Sequence, residues 1–488
     1  MFTLTLLGID IGTSAVKAVL VDERQEILAE SAAPLSVEKP QPGWYEQDPE
    51  SWWRASGFAV GGLRTRSPAA FAAIEAIGLS GQMHGAVILD KDKQPIRPAI
   101  LWNDGRADTE CVELESAVPG LPLIAGIGAM PGFSAPKLCW LRRHEPLSFS
   151  RIAHVCLAKD FVRFRLTGEC ATDMADAAGT LLLDEAARDW SDPILAAVGL
   201  SRAQVPRLLE GNAISGTVRP AVAASWGLSA GVPVVAGAGD AAAGAIGLGA
   251  IGEGDGFLSL GTSAQIVRSR DRYQPTPETL IHTFAHALPG RWFEMAALLN
   301  GAGCLDWAAQ LLGITDITVF LGSVELAFRG PASVLFLPYL AGERTPLNDP
   351  GARGVFANLE LSTTRETLIQ AVLEGVVFAL MDGQLAFGQG LGGPPLAVAG
   401  GGSRSRFWLR LIASGFGRPL LRIAAAENGP AFGAARLARL GITGETPDEV
   451  CSKPEVLETI EPDPALADAY RQRFETFRGL YRGLKRAR

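Results

Sequence analysis

The chain has 488 residues, of which 48% are hydrophobic and 20% are charged, and its net charge is −8. This composition excludes an intrinsically disordered protein, and the length suits two large domains or three smaller ones. The acidic balance argues against a nucleic-acid partner, although backbone amides can still hold a small anionic ligand locally. Six cysteines without a Cys-x-x-Cys pair are typical of a reducing compartment, which indicates a cytoplasmic protein.

Short apolar runs of β type alternate with longer helical runs, which indicates an α/β protein. Residues 4–11 and 15–21 flank a Gly-Thr-Ser turn and predict a hairpin. Residues 258–261 and 264–267 flank a second Gly-Thr-Ser turn, 249 residues after the first. A self-match at that spacing predicts two related halves, although this turn composition also recurs by chance.

Two polar loops in the first half carry groups that can bind hydroxyls. In residues 81–85, Gln82 and His84 can pair with hydroxyl groups, while Met83 can cover the carbon face of a polyol. Trp102 is followed by a second polar turn that contains Asp104. On composition alone, a structural turn is the simpler interpretation of both loops.

Residues 232–252 contain a single charge, Asp240, and are long enough to be considered as a membrane span. Their many glycines and alanines, and the cost of a carboxylate in mid-bilayer, favour a buried strand, a tight turn and a small-residue helix instead. We therefore expect no membrane association.

The Gly-rich residues 244–256 predict a hinge between two domains.

Asp240 would stand where the predicted strand at 232–236 ends, so that its side chain points into a ligand crevice. An ordinary helix N-cap is an equally good interpretation of this aspartate. Residues 237–242 also match the loose pattern G-x-G-x-x-A, which would indicate a nicotinamide-dependent oxidoreductase. That alternative lacks the acidic residue expected about 20 positions further on, at the end of a second strand.

The second half supplies strong helix signals. Residues 363–366 (TTRE) form a predicted capping box that opens a long buried helix. An apolar run at 396–399 ends in three glycines, and a helical stretch at 406–413 follows. Further on, four aromatic residues at helical spacing predict a packing face, namely Tyr470, Phe474, Phe477 and Tyr481.

Phosphoryl transfer needs donors around the phosphates, a carboxylate for Mg²⁺ and a base. Asp10 lies just before the first Gly-Thr-Ser turn, whereas Ser259 stands at the matching position before the second. This difference is expected if only the first turn faces a metal ion. Lys17 is interpreted equally well as a phosphate contact or as a surface lysine. His282 and His286 have the spacing of metal ligands on a helix, but they lie in a β-like segment without a third ligand, so no zinc site is expected.

The motifs together resemble the FGGY carbohydrate kinases along essentially the whole chain. The resemblance rests on residues 8–14 (GIDIGTS), 258–263 (LSLGTS), 400–403 (GGGS) and 131–144 (PGFSAPKLCWLRRH) and on Gly239-Asp240. Other matching segments are 81–85, 98–106, 172–180, 304–307, 340–346 and 429–437.

The resemblance implies two actin-like, ribonuclease-H-like lobes, at 1–246 and 247–488, with the active site in the cleft between them. It implies ATP-dependent phosphorylation of a ketopentose such as D-xylulose, with Asp240 as the base and Asp10 as the acid near Mg²⁺. The implied sugar-binding residues are Met83, His84, Gln82, Trp102 and Asp104. The implied ATP-binding residues are Gly12, Thr13, Ser14, Lys17, Gly261, Thr262, Ser263, Gly400, Gly401, Gly402 and Ser405. A homodimer is left open.

Three positions depart from the family pattern. Ala241 stands where an asparagine that contacts the sugar is usual, so ribulose or a polyol remains an alternative substrate. Asn358 and Thr367 depart from the second family signature, and both positions are interpreted as structural.

Overall fold

The computed structural model of the protein describes residues 4–388, 390–424 and 429–487. Two seven-stranded sheets form the centres of two lobes. The first sheet has the order β13-β14-β5-β1-β2-β3, with β15 beside β5, and the second has the order β18-β19-β17-β16-β22-β23-β24, where strands are numbered in chain order as given below.

The first half of the chain forms the strands β1 (Thr5–Ile11), β2 (Ala15–Asp22), β3 (Ile27–Pro34), β4 (Glu46–Gln47), β5 (Ile74–Gly81), β6 (Val87–Leu89), β7 (Ala99–Ile100), β8 (His154–Cys156), β9 (Ala171–Asp173), β10 (Leu183–Asp184), β11 (Asp189–Trp190), β12 (Arg207–Leu209), β13 (Ile214–Thr217), β14 (Pro233–Val235) and β15 (Ala238–Gly239). Its helices are α1 (Pro49–Arg66), α2 (Pro68–Ala72), α3 (Asp108–Ala117), α4 (Leu121–Ile124), α5 (Ser134–His144), α6 (Pro146–Ser150), α7 (Ala158–Thr167), α8 (Met174–Ala178), α9 (Asp192–Val198), α10 (Pro220–Trp226) and α11 (Asp240–Gly247).

The second half forms the strands β16 (Gly256–Leu260), β17 (Ala264–Arg270), β18 (His282–Ala285), β19 (Trp292–Leu298), β20 (Leu335–Leu337), β21 (Val355–Ala357), β22 (Leu396–Ala399), β23 (Leu420–Ile423) and β24 (Val456–Ile460). Its helices are α12 (Gly303–Leu311), α13 (Ile317–Ala327), α14 (Arg365–Ala386), α15 (Arg406–Phe416), α16 (Gly429–Thr443), α17 (Pro447–Val450) and α18 (Pro464–Ala487).

The two sheets share one strand plan. In the first, β1, β2 and β3 form an antiparallel meander, and β5 and β14 continue the sheet parallel to β1. In the second, β16, β17 and β19 form the meander, and β22 and β23 continue it parallel to β16. Both halves thus have the ribonuclease-H-like order, which confirms the α/β fold with two related lobes that the repeated turn predicted.

The predicted hairpins and the predicted strand–turn–helix segment are confirmed. The hairpin β1–β2 pairs Asp10 with Lys17, and the hairpin β16–β17 pairs Ser259 with Gln265. Residues 232–252 contain β14, β15 and α11, with Gly237 between the two strands at φ +86°. An added Cβ at Gly237 would also collide with the carbonyl of Leu79. Both the positive φ and the lack of space for a side chain therefore require glycine at this turn.

Helix α14 begins one residue later than the predicted capping box implies. Its N-cap is Thr364, whose hydroxyl accepts a hydrogen bond from the amide of Thr367, whereas the Thr363 hydroxyl accepts from the amide of Glu360. This helix is long and apolar enough to cross a bilayer, with a mean hydropathy of 1.4, but 89% of that apolar stretch is buried inside the protein. It is therefore the core helix of the second lobe. The aromatic residues of α18 are buried, which confirms the predicted packing face, and Tyr470 and Phe477 contact Phe378 of α14.

Helix α16 belongs to the second half of the chain but packs on the first sheet. It lies against β1, β5 and α11, and this close approach requires small residues. A Cβ at Gly8 would collide with the carbonyl of Ala431, and one at Gly433 would collide with the carbonyl of Ala243. The glycines therefore set the distance between α11, α16 and the sheet that carries Asp10.

Replacing Gly433 by alanine tests this packing. Alanine is the better helix former by about 1 kcal/mol, but here its Cβ has no room, so we expect Gly433→Ala to lower the free energy of unfolding by about 2 kcal/mol. Gly479 on α18 is the matched control, since nothing lies near its Cβ position, and Gly479→Ala should stabilise the protein slightly. Thermal midpoints measure both changes, and a stabilising Gly433→Ala would contradict the packing.

Candidate active site

Asp10 and Asp240 lie on opposite sides of strand β5. In the sheet, Ser80 of β5 pairs with Asp10 on one side and with Ala238 on the other. Asp240 follows β15 directly and begins α11. Because neighbouring strands are about 4.8 Å apart, the two backbones are separated by about 10 Å, which allows two carboxyl groups to approach one another.

The two carboxyl groups affect each other electrostatically. Burial raises the pKa of Asp240 from its ordinary value of 3.8 to about 7, and the negative charge of Asp10 adds to this rise. Burial likewise raises the pKa of Asp10 to about 6, against the opposing effects of Ser80 and of the Lys17 charge. The acids predicted from separate motifs therefore share one crevice.

The interpretation of Asp240 as a helix cap is wrong. Gly239 is the N-cap of α11, and Asp240 is the first helical residue. Its Oδ1 accepts a hydrogen bond of 2.8 Å from the amide of Ala241. In Asp10, Oδ1 is buried and makes no hydrogen bond within the described part of the chain. An orphaned carboxylate oxygen of this kind suits a cation or another donor that a ligand brings.

A hydrogen-bond network fixes the first Gly-Thr-Ser turn. The Thr13 hydroxyl donates to Oε1 of Gln82 (2.9 Å) and accepts from Nε1 of Trp102 (3.0 Å). The amide of Gln82 also donates to Oε1 of Gln47 (3.0 Å), and Gln47 donates to the carbonyl of Thr13 (2.8 Å). The side chain of Gln82 is thus engaged by protein groups, and it holds the turn. Ser14 is exposed at the tip, and Lys17 is exposed on β2 beside Asp10.

Met83 lies next to Gly239 and Asp240, and His84 follows Met83 in the same loop. A Cβ at Gly239 would lie 2.8 Å from Cγ of Met83, so Met83 covers the residue that precedes Asp240. His84 has φ +68°, and its Nδ1 lies 2.6 Å from the carbonyl of Gly179. Burial and the Arg344 charge hold the pKa of His84 well below its ordinary value, so the ring is neutral. Since a carbonyl can only accept, Nδ1 carries the proton and Nε2 is an acceptor.

Asp104 is held by its own loop. It forms a buried ion pair with Arg106 (2.7 Å) and accepts a hydrogen bond from the amide of Tyr45 (2.6 Å). Arg106 in turn lies over the ring of Trp44, 3.8 Å from its centroid. Gln82 and Asp104 are thus engaged by protein groups, whereas Met83 and His84 are buried beside Gly239 and Gly179, and Trp102 is half-buried.

The second Gly-Thr-Ser turn lies at the corresponding strand ends of the second lobe. The amides of Gly301 and Gly303 donate to the carbonyl of Thr262 (3.0 and 3.2 Å). Next to this turn, Gly400 has φ +88°, and its Cβ position lies 2.8 Å from the carbonyl of Leu260. The remaining residues predicted to bind ATP lie along these turns and their flanks, namely Gly261, Ser263, Gly401, Gly402 and Ser405. Ser405 accepts from the amide of Trp408 and is the N-cap of α15.

Sequence reasoning did not identify three residues around Trp102, His84 and Phe133, although it considered His282 as a metal ligand. Arg344 reaches from the second lobe to the carbonyl of Trp102 (2.8 Å). Lys137 is buried and donates to the carbonyls of His84 (3.0 Å) and Gly132 (2.6 Å). His282, on β18, is buried beside Phe133. Arg344 and Lys137 stand in segments that match the family, but nothing in the sequence indicates that Lys137 contacts His84, 53 residues away, or that Arg344 contacts Trp102, 242 residues away.

Comparisons with known proteins agree with this arrangement. The N-terminal domain of the FGGY family of carbohydrate kinases matches residues 5–247, and the C-terminal domain of that family matches residues 256–441. The xylulose kinase of Escherichia coli K12 is 45% identical over 480 residues, which cover 98% of this chain and 99% of that protein. The crystal structure of a xyloylose kinase from Brucella ovis superposes with a TM-score of 0.93 at 44% identity, covering 99% of this chain and 100% of that one. A gluconate kinase from Lactobacillus acidophilus has a TM-score of 0.91 at 26% identity, covering 99% and 98%.

The fold and the cleft define a two-lobed sugar kinase. The chain belongs to the FGGY family of carbohydrate kinases, as its motifs indicated, and it is an enzyme of that class. The oxidoreductase alternative is wrong. Residues 237–242, which suggested it, instead end the first sheet and open α11 beside Asp10.

Proposed function

We propose that this kinase transfers the terminal phosphoryl group of ATP to D-xylulose and forms D-xylulose 5-phosphate and ADP. The observation that carries the proposal is the pair Asp10 and Asp240, which meet across β5 at the ends of two strands. The similarity to xylulose kinases over nearly the whole chain supports the choice of sugar.

In the proposed reaction, Asp240 is the general base. A pKa of about 7 suits this role, because the carboxylate is then both present at neutral pH and basic enough to take a proton. As the C5 hydroxyl oxygen forms its bond to phosphorus, its proton passes to Asp240. The bond between that phosphorus and the bridging oxygen breaks, and ADP leaves with the electron pair.

Asp10 is proposed as the carboxylate that holds Mg²⁺. The fit rests on its buried, unpartnered Oδ1 and on its position next to the first Gly-Thr-Ser turn. A bound Mg²⁺ would neutralise charge on the ATP phosphates. Lys17 lies beside Asp10 on the neighbouring strand, so its ammonium group can add a second positive charge there.

The phosphate donors are proposed to be the two Gly-Thr-Ser turns and the glycines at 400–402. Gly401 is exposed, and its Cβ position is open, so its backbone can come close to a ligand. We propose that Ser405 supports this loop as the cap of α15. Residues 1–246 would then form the lobe with the sugar site and base, and residues 247–488 the ATP-binding lobe.

For the sugar, the neutral His84 offers Nε2 as an acceptor for a hydroxyl proton, Met83 covers the carbon face, and Trp102 forms the opposite wall. We propose that Gln82 and Asp104 act indirectly, by fixing the turn at Thr13 and the loop after Trp102. All six cysteines are free, which supports a reducing, cytoplasmic location where ATP is available.

Replacing the proposed base tests the mechanism. We expect Asp240→Asn to lower kcat about 100- to 10,000-fold, because the amide cannot accept the hydroxyl proton, while the affinity for Mg·ATP stays nearly constant. A coupled ADP assay measures turnover, and calorimetry measures nucleotide binding. Asp468→Asn, at an exposed carboxylate on α18, is the control. Near-normal turnover of Asp240→Asn would refute the role.

A second candidate keeps the reaction but changes the sugar. Ala241 follows the base and has no side-chain amide, so one sugar contact usual in the family is absent. We expect D-xylulose to have the highest kcat/KM among D-xylulose, D-ribulose, xylitol and other small polyols. The same ADP assay with each sugar decides this, and a higher value for D-ribulose would replace D-xylulose as the substrate.

A further inference from the structure

Arg344 crosses from the second lobe into the sugar-binding cleft of the first. Its Nη2 donates to the carbonyl of Trp102 (2.8 Å), and its guanidinium carbon lies 5.5 Å from the centre of the Trp102 ring. The same Nη2 lies 2.6 Å from the position of a Cβ at Gly132, so Arg344 fills the space that this glycine leaves open. A second-lobe cation thus forms part of the wall around Trp102.

The guanidinium of Arg344 has spare donors. Nη2 carries the one hydrogen bond that its guanidinium makes within residues 4–388, 390–424 and 429–487. The neighbouring carboxylate, Glu343, is directed elsewhere, since it accepts from the amide of Leu299 (2.7 Å) and from Nδ2 of Asn300 (3.0 Å). Nε and Nη1 of Arg344 are therefore free to donate to a ligand, in a part of the cleft where a donated hydrogen bond is not competed away by bulk water.

Arg344 and Lys137 contribute only hydrogen-bond donors to this wall, while Nε2 of His84 is the acceptor proposed for another sugar hydroxyl. Burial lowers the pKa of His84, of His282 and of Lys137, and the Arg344 charge lowers each of them further, so all three lie within its electrostatic reach. Lys137 already uses the carbonyls of His84 and Gly132 as acceptors. A ligand group that accepts hydrogen bonds and has no proton of its own to donate is the best match for such a wall.

The proposed substrate has such a group, and the present inference rests on that proposed function. A ketopentose closes its ring by adding the C5 hydroxyl to the C2 ketone. An enzyme that phosphorylates the C5 oxygen must therefore bind the open-chain form, in which C5 carries a free hydroxyl and C2 is a carbonyl. The C2 oxygen accepts hydrogen bonds and cannot donate.

We propose that Arg344 donates a hydrogen bond to the C2 carbonyl oxygen of the open-chain sugar and thereby selects ketoses over polyols. With the C5 end at Asp240, the sugar passes Met83 and His84 and reaches Arg344 with its carbonyl end. A polyol places a hydroxyl at C2 instead, and the side chains of Arg344 and Lys137 offer no acceptor for its proton. Discrimination by an unsatisfied buried donor is effective in enzymes.

The test compares one ketose with one polyol of the same length. We expect Arg344→Met to lower kcat/KM for D-xylulose about 10- to 100-fold, the effect of losing a hydrogen bond from a charged donor. The value for xylitol, or its inhibition constant if turnover is too slow, should change less than about 3-fold. The ratio between the two sugars is the readout, because a merely structural role would lower both values together.

The control is another arginine that links the lobes outside the cleft. Arg188 donates to the carbonyl of Arg291 (2.9 Å) and pairs with Glu210, so Arg188→Met also removes a contact between the lobes. We expect it to leave the ketose-to-polyol ratio unchanged. If Arg344→Met does not fold, Arg344→Lys replaces it, and a smaller decrease of the same ratio is expected.

The outcomes separate the two proposals. If the unaltered enzyme with ATP phosphorylates no ketopentose, the proposed function fails before any variant is compared. If it phosphorylates D-xylulose but the Arg344 variants leave the ratio unchanged, the function stands and the role of Arg344 is overturned. A ratio that falls in the Arg344 variants and not in Arg188→Met supports it.

Discussion

Two carboxyl groups held on either side of one strand are the constraint on which the rest of the site depends. Burial raises the pKa of both Asp10 and Asp240, and the negative charge of Asp10 raises the pKa of Asp240 further. Such an arrangement is unfavourable for the folded protein at neutral pH, since like charges in a poorly solvated crevice repel. The proposed roles of Asp240 as the base and of Asp10 as the cation ligand explain why it is retained, because phosphoryl transfer to an alcohol uses both groups close together.

The scaffold meets this constraint by using backbone packing more than side-chain bonds. Gly8 and Gly433 let α16 rest directly on β1 and on α11, so the strand that carries Asp10 and the helix that begins with Asp240 are fixed against one third element. That element comes from the second half of the chain. The proposed sugar wall likewise combines His84 from the first lobe with Arg344 from the second.

The fold was largely predictable because its signals are local. The two Gly-Thr-Ser turns and their apolar flanks predicted both hairpins, and the strand at 232–236 predicted that Asp240 follows the carboxyl end of a strand in the sheet. Gln82 shows the limit of prediction from the sequence. Nothing in residues 81–85 indicates that its side-chain amide would form hydrogen bonds with Gln47 and Thr13. Arg344 was not predictable for a related reason. Its partner Trp102 is 242 residues away in sequence, and only the packing of the two lobes brings them together.

The most direct test of the central pair is the pH dependence of stability in Asp240→Asn. An aspartate whose pKa rises to about 7 on folding makes the protein less stable as pH increases from about 4 to 7, because the folded state holds a proton that the unfolded state has lost. Removing that carboxylate should therefore raise the thermal midpoint more at pH 8 than at pH 5, and the difference should shrink when Asp10 is also asparagine. An equal shift at both pH values would contradict two acids buried together in one cleft.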